Sequence, residues 1–519
     1  MSASVSWPIP SFPSPRSKTL RRLLAAALCA LGICANALAA DGSAPLRVVV
    51  PALPAQFDPH KALTAVDRAI AAELFLGLTA RDALGTLIPG AASWQVSADG
   101  LNYTFTLGEG LTWSDGTPLV AADFAAGLTR ARDPATAAPF AGDLAAIVNV
   151  AAPEPHTLSI TLNRPSAAFL EVLSSPVAAP VPRHLIGSEG NAWARPESIV
   201  TNGPFIVTKQ AGAILVRNPH FAAQGNIERI AFREGGAVDD AAGLIRNGEA
   251  DLTVGYDFEN PAGRISSPFR ADTGQNLYFI AVNTSHALLK VREVRHALAM
   301  SIDREGLTRA LRASNLVPAY AMVPSTAYAG GFQGRAPYAS LQPDMRAAIA
   351  EVLLGELKID AAHPVTFDLM YPKGAFHEVV AKHIAENWVK LGVRVRLQEK
   401  APADYARGIR EGEFDLAVAT WAGIDETPRG YLAPLRFMTD PRNVPRYSEA
   451  DFERRMADAD SEIDPARRLT MLADAERVLI EDQPILPVFF FTPARPVATG
   501  LAGWQPNRNG IHPLHLMSR

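Results

Sequence analysis

Residues 376–398 read FHEVVAKHIAENWVKLGVRVRLQ. Phe376, Val380, Ile384, Trp388 and Leu391 recur at the three- and four-residue spacing that gathers side chains on one face of an α-helix. Gly392 breaks the pattern, as glycine does where a helix ends in the left-handed region. Beyond it the period becomes two: Val393, Val395 and Leu397 alternate with Arg394, Arg396 and Gln398, a strand with one apolar face. The same order occurs twice more. Residues 403–411 are helical in pattern, Gly412 stops them, and 413–418 (EFDLAV) follow as a strand; residues 237–247 stop at Gly248 and run into 249–254 (EADLTV). Such units in both halves of the chain predict an α/β protein of two lobes. Folds of this kind collect a ligand in the cleft between lobes, at strand ends.

Toward the N-terminus the signals are those of strands. Residues 46–50 (LRVVV) form one, and in 102–107 Tyr103, Phe105 and Leu107 share a face. Trp113-Ser114-Asp115-Gly116 follows as a tight turn, with Asp-Gly supplying the positive φ it needs. With 519 residues, 48% hydrophobic and 20% charged, the chain has material for two or three globular domains.

The first forty residues differ in kind. No acid precedes Asp41, while Arg16, Lys18, Arg21 and Arg22 supply four positive charges. The Leu- and Ala-rich run 23–38 leads into Ala37-Leu38-Ala39, the small-x-small pattern of a signal-peptidase site, so 1–39 read as a cleavable signal peptide. The run is shorter than a membrane-spanning helix needs; an uncleaved anchor is the competing reading. Both cysteines, Cys29 and Cys34, lie here, preceded by Leu28 and Ile33 rather than by the small residue of a lipidation site. A mature chain without cysteine has no disulfide, no thiol catalysis and no thiolate metal site. Its 45 Lys and Arg face 53 Asp and Glu, a net charge near −8 that argues against nucleic-acid and anionic-membrane partners.

No phosphate loop, dinucleotide-binding glycine pattern or nucleophile elbow occurs. His377-Glu378 with His383 superficially suggests a zinc-protease helix, but the fourth residue after His377 is Ala381. Six residues turn a helix through about 600°, which carries His383 off the face of His377. The chain is therefore expected to be no enzyme, with no metal site and no cofactor.

More specific is the stretch 89–134, with Pro89-Gly90-Ala91, Ser97-Ala98-Asp99-Gly100-Leu101-Asn102-Tyr103-Thr104-Phe105, Trp113-Ser114-Asp115-Gly116-Thr117-Pro118-Leu119, Ala122-Asp123-Phe124 and Arg130-Ala131-Arg132-Asp133-Pro134. Around it, in order, stand Phe57-Asp58-Pro59-His60, Glu73-Leu74-Phe75-Leu76-Gly77-Leu78, Thr201-Asn202-Gly203-Pro204-Phe205, Arg217-Asn218-Pro219, Asn283, Val291-Arg292-Glu293-Val294-Arg295-His296-Ala297-Leu298 and Ser301-Ile302-Asp303-Arg304-Glu305. This ordered set resembles the oligopeptide/dipeptide-binding family of bacterial extracellular solute-binding proteins over nearly the whole mature chain. Most of these residues read as structural: Trp113 and its turn fix a hairpin, Val291, Val294, Leu298 and Ile302 form a buried helix stripe, and Asp303 caps the next helix.

The resemblance implies the α/β periplasmic binding protein fold, two-lobed and hinged with the ligand between lobes, plus an additional third domain. Lobe I would comprise 40–83, 199–283 and 491–519, the extra domain 84–198 and lobe III 284–490. It also implies a monomeric periplasmic protein that captures a peptide or peptide-like ligand and delivers it to an inner-membrane ABC permease. In peptide-binding members the ligand backbone pairs with protein backbone, while an acid holds its ammonium end and basic residues its carboxylate end. Carried over, the wall strand gives Thr420, Trp421 and Ala422, and the carboxylate-end contacts His377 and Arg312, with an ordinary surface histidine as the alternative for His377. The acid's usual place, three residues after the tryptophan, holds Ile424. A one-residue insertion would give the role to Asp425; a buried Ile424 would abolish it. The family's usual arginine before the wall falls on Val418. Ile424 motivates a second reading, a non-peptide solute such as a metal chelate, haem or opine-like compound. A periplasmic hydrolase lacks its catalytic constellation here, and a chaperone would show an exposed apolar patch.

Overall fold

The computed structural model describes residues 44–519 except 55, 209–213, 223–224, 237, 257–268, 313–314, 329–333, 424–426 and 509. The chain divides into Met1–Ala44 and a compact unit, Pro45–Arg519. The signal-peptide reading of 1–39 lies outside the described residues. Within the compact unit are three principal sheets. The first has the order β11-β1-β10-β9-β8, with β1 at Leu46–Val50, β8 at Phe205–Val207, β9 at Ile214–Arg217, β10 at Arg229–Glu234 and β11 at Leu252–Thr253. β1 runs parallel to both β10 and β11, its two neighbours. The second is an antiparallel sheet, β4-β5-β7-β6, formed by Ala92–Val96 (β4), Asn102–Leu107 (β5), Ile147–Glu154 (β6) and Thr157–Leu162 (β7). One apolar core joins the two, from Leu46, Phe205 and Phe232 to Phe105, Trp113 and Phe124.

The third sheet has the order β14-β18-β13-β17-β15-β16. Its strands are Asn276–Val282 (β13), Leu316–Pro318 (β14), Val365–Pro372 (β15), Val393–Lys400 (β16), Leu416–Ala422 (β17) and Ile485–Phe491 (β18). Helices cover both faces, so β13 is buried at Leu277, Tyr278, Phe279, Ile280, Ala281 and Val282, and an unbroken apolar run is what such a strand requires. One face packs on Trp388 and Phe367, the other on Phe452 and Leu479. Among the described residues two short ribbons complete the strands: β2 (Thr79–Arg81) with β3 (Leu87–Pro89), and β12 (Phe269–Ala271) with β19 (Ala494–Pro496).

The local readings are met where local chemistry decides. Helix Ala375–Val389 carries its stripe inward, and Gly392 follows at φ 79°. A Cβ there would lie 2.2 Å from the Asp360 carbonyl oxygen, so glycine is required twice over, by conformation and by space. In β5 burial alternates strictly, with Tyr103, Phe105 and Leu107 inside. Trp113 is fully buried, its turn closed by Gly116 N–H donating to the Trp113 carbonyl. Its indole donates to Asp123 Oδ2 at 3.3 Å. Asp303 caps its helix by accepting from Gly306 N–H at 2.8 Å.

Strand limits are where the readings fail. The strand expected at 249–254 shrinks to β11, because the Glu249 and Ala250 amides fold back onto the Leu244 carbonyl to close the preceding helix. The one expected at 413–418 begins at Leu416 and runs to Ala422, since Glu413 N–H bonds back to Gly408. The expected segment limit at 283/284 falls just after β13. That strand, which the limit would leave with the first sheet, is a central strand of the six-stranded sheet.

Candidate functional site

The wall strand read from sequence is β17, held between β13 and β15. Its pairing with β13 runs the full length, setting Thr420 opposite Tyr278, Trp421 opposite Leu277 and Ala422 opposite Asn276. Its pairing with β15 involves only Leu416 and Ala417. Beyond Ala417 the strand therefore has a ladder on one side, and on the other the Tyr405 hydroxyl donates to the Val418 carbonyl. The β15 ladder thus stops at Ala417, and strand edges released from a ladder are where an extended segment can add as a strand.

Directly opposed residues share a face of a sheet, so Thr420 lies on the side of Tyr278. His377, in the first turn of helix Ala375–Val389, joins Tyr278 there: Nδ1 stands 3.0 Å from the tyrosine hydroxyl and the rings stack at 5.9 Å. Loss of water around the imidazole lowers its pKa to about 4, so it is neutral at ordinary pH. The residue as a whole is half-buried. Tyr278 in turn stacks on Phe489 at 4.6 Å, which fixes the pair.

Trp421 takes the opposite face and meets Phe279 edge-on, with ring centroids 4.6 Å apart. Its indole Nε1 is shut off from solvent and meets no acceptor among the described residues. A buried donor without an acceptor costs roughly 1–3 kcal/mol, which a bound solute could recover by accepting from it. Arg312 stands apart. It ends helix Arg304–Leu311 in a left-handed conformation, exposed, and leads into β14, which β18 and β13 separate from β17. Ile424 and Asp425 lie outside the described residues, so the choice between them is untouched by this geometry. His383, the near miss of the zinc pattern, bonds to the Asp303 carbonyl at 3.0 Å. Among the described residues no group of three His, Cys, Asp or Glu could hold a metal ion.

Sequence reading missed Tyr278 and Tyr405. The first hides inside the apolar run of β13 and the second on a helix 13 residues before its acceptor, Val418. Neither has a signal in residue order.

Residues 88–443 match the family model described as bacterial extracellular solute-binding proteins, family 5, middle. The chain belongs to that family. Among curated relatives of this family-5 chain, the periplasmic oligopeptide-binding protein OppA of Salmonella typhimurium is 29% identical over 86% of this chain and 87% of its own. The probable deoxycholate-binding periplasmic protein YgiS of Escherichia coli is 30% identical over 84% of this chain and 86% of its own. The murein tripeptide-binding protein MppA of Escherichia coli, 26% identical, superposes over 92% of this chain and 98% of its own with a TM-score of 0.82. MppA in a form titled unliganded and open, with 92% and 97% covered, gives only 0.62. The lobes of the present chain are therefore arranged unlike those of that open form.

Proposed function

We propose that this family-5 protein captures peptides or peptide-like solutes between its lobes in the periplasm and delivers them, as a monomer, to an inner-membrane ABC permease. The half-paired edge of β17 carries this reading, because backbone pairing takes up extended peptides regardless of their side chains. OppA and MppA, whose names state oligopeptide and murein peptide binding, support it. Thr420, Trp421 and Ala422 form the wall, with His377 beside it. Asp425 serves the ammonium end, and His377 and Arg312 serve the carboxylate end, Arg312 standing exposed on the turn into β14. The segments 40–83, 84–198, 199–275, 276–490 and 491–519 alternate between lobe I, the extra domain and lobe III, the boundary being moved to precede β13. Residues 1–39 act as the export signal.

Native mass spectrometry of the exported protein, followed by calorimetry with the solutes released, tests the proposal. Co-purifying peptides are expected; a preparation that binds no peptide of two to ten residues overturns it. A second reading rests on YgiS and on β17 itself, whose residues 416–423 carry no charge. An amphipathic non-peptide acid such as deoxycholate would suit such a wall, and it belongs in the same titration. For a peptide, Asp425→Asn should weaken a free-amine ligand roughly 30-fold and spare its N-acetylated form, since it strands one charge of a desolvated pair.

A further inference from the structure

The body built on the first two sheets meets the six-stranded-sheet lobe at Phe140 and Asp143, among other places. On the first side is the short turn of helix Ala141–Leu144, with Phe140 before it and Asp143 within it. On the second side is the turn around Asp440, Arg442 and Asn443. Arg442 donates from Nη2 to Asp143 Oδ1 at 3.0 Å, across 299 residues of sequence. Its guanidinium also lies 5.1 Å from the centroid of the Phe140 ring. Arg68, from helix Ala65–Leu74, approaches the same ring at 5.5 Å, and its charge is opposed by burial and by the nearby Arg442 guanidinium. Beside them the edge of the Phe437 ring would lie 3.9 Å from a Cβ at Gly142, an ordinary contact distance.

Arg442 is held ready for this contact by its own lobe. Asp440 accepts from the Arg442 backbone N–H at 2.8 Å and from its Nε at 2.9 Å. Asn443, buried, ties the turn down by donating to the Phe437 and Tyr447 carbonyls at 3.0 and 2.8 Å. The arm thus loses little freedom when it meets Asp143, which leaves most of the pairing energy for closure. Burial opposes the charge of Arg442, but Asp440 and Asp143 outweigh it and raise its pKa. The guanidinium is charged at every relevant pH.

We propose that Arg442 and Asp143 form a latch across the lobes: a pair made when they close and broken when they open, setting how long the closed state lasts. Arg442 is a positioning residue, since it holds one lobe on the other. The latch rests on the reading of the protein as a solute binder that closes, but its test needs no solute. Small-angle scattering of the whole exported protein without ligand, at low and high salt, reads the closed fraction directly. Asp143→Asn, isosteric and on the side opposite the preformed arm, should lower the closed-to-open ratio about tenfold and enlarge the radius of gyration. It should also flatten the salt dependence, because the screened pair is gone. Arg442→Gln should match it, and the double variant should be no worse than either single one. Melting temperatures equal to the parent's exclude a general loosening of the turns. An unchanged radius and salt response in Asp143→Asn, or additive effects in the double variant, overturns the latch. Release of a bound tripeptide should quicken by the same factor; if no tripeptide binds, the peptide reading falls and the scattering result still judges the latch.

Discussion

Glu476 is fully buried in helix Pro465–Asp482, and its replacement by Gln should remove one part of the protein's pH response. Its Oε1 accepts from the Met322 and Val323 amides, both at 3.0 Å, and its Oε2 from the Tyr328 hydroxyl at 2.7 Å. Burial pushes the carboxyl up to about 7 against the opposing pull of those donors. A raised acid binds its proton more tightly in the folded chain than in the unfolded one. Its contribution is complete below the unfolded pKa near 4.5 and is lost as pH rises through about 7. The displacement corresponds to roughly 3 kcal/mol between the two ends of that window. Gln resembles the protonated form: its oxygen keeps both amides, and Tyr328 turns its hydroxyl to accept. His60 and His377, both lowered to about 4 by burial, act in the opposite direction, losing stability as pH falls from about 6.5. They are common to both proteins and cancel in the difference. Calorimetric melts of parent and Glu476→Gln between pH 4.5 and 8 should therefore diverge. The variant should gain on the parent by roughly 6–12 °C for a lobe of about two hundred residues. Parallel curves across that range would refute the reasoning.

Three further outcomes follow from single contacts. Asp123→Ala removes the acceptor of the Val120 amide, the Trp113 indole and the Arg183 guanidinium, and should cost about 2–4 kcal/mol in urea denaturation, with unpaired donors left behind. Because His377 titrates only near 4, solute affinity measured by calorimetry should stay level from pH 7 to pH 5, below the range where a peptide's own amine titrates; a change centred near 6.5 would show that its imidazole is solvated. Trp421→Phe deletes an unsatisfied buried N–H, so the free protein should melt no lower than the parent while the bound solute loses affinity roughly fivefold or more.

How far residue order discloses this molecule depends on the range of the forces involved. Gly392, Gly412 and Gly248 were legible because a positive φ is a demand one residue makes on itself. The stripe on helix Ala375–Val389 and the alternation of β5 were legible because one neighbour, the core, acts on each element. Strand limits were not, since β17 ends where β13 stops pairing with it and begins where a helix cap releases the chain. Tyr278 and His377 meet across 99 residues, and Arg442 and Asp143 across 299, so nothing local marks either pair. The proposed wall is a deeper case. A backbone edge bonds through groups that every residue except proline carries, so Thr420 and Ala422 need no particular side chain to form it. What determines the edge is the early end of the β15 ladder and the tyrosine hydroxyl on Val418, both supplied from elsewhere. A site built on backbone is thus recorded in the residues that hold the strand open, and those are the positions where substitution should change what the cleft accepts.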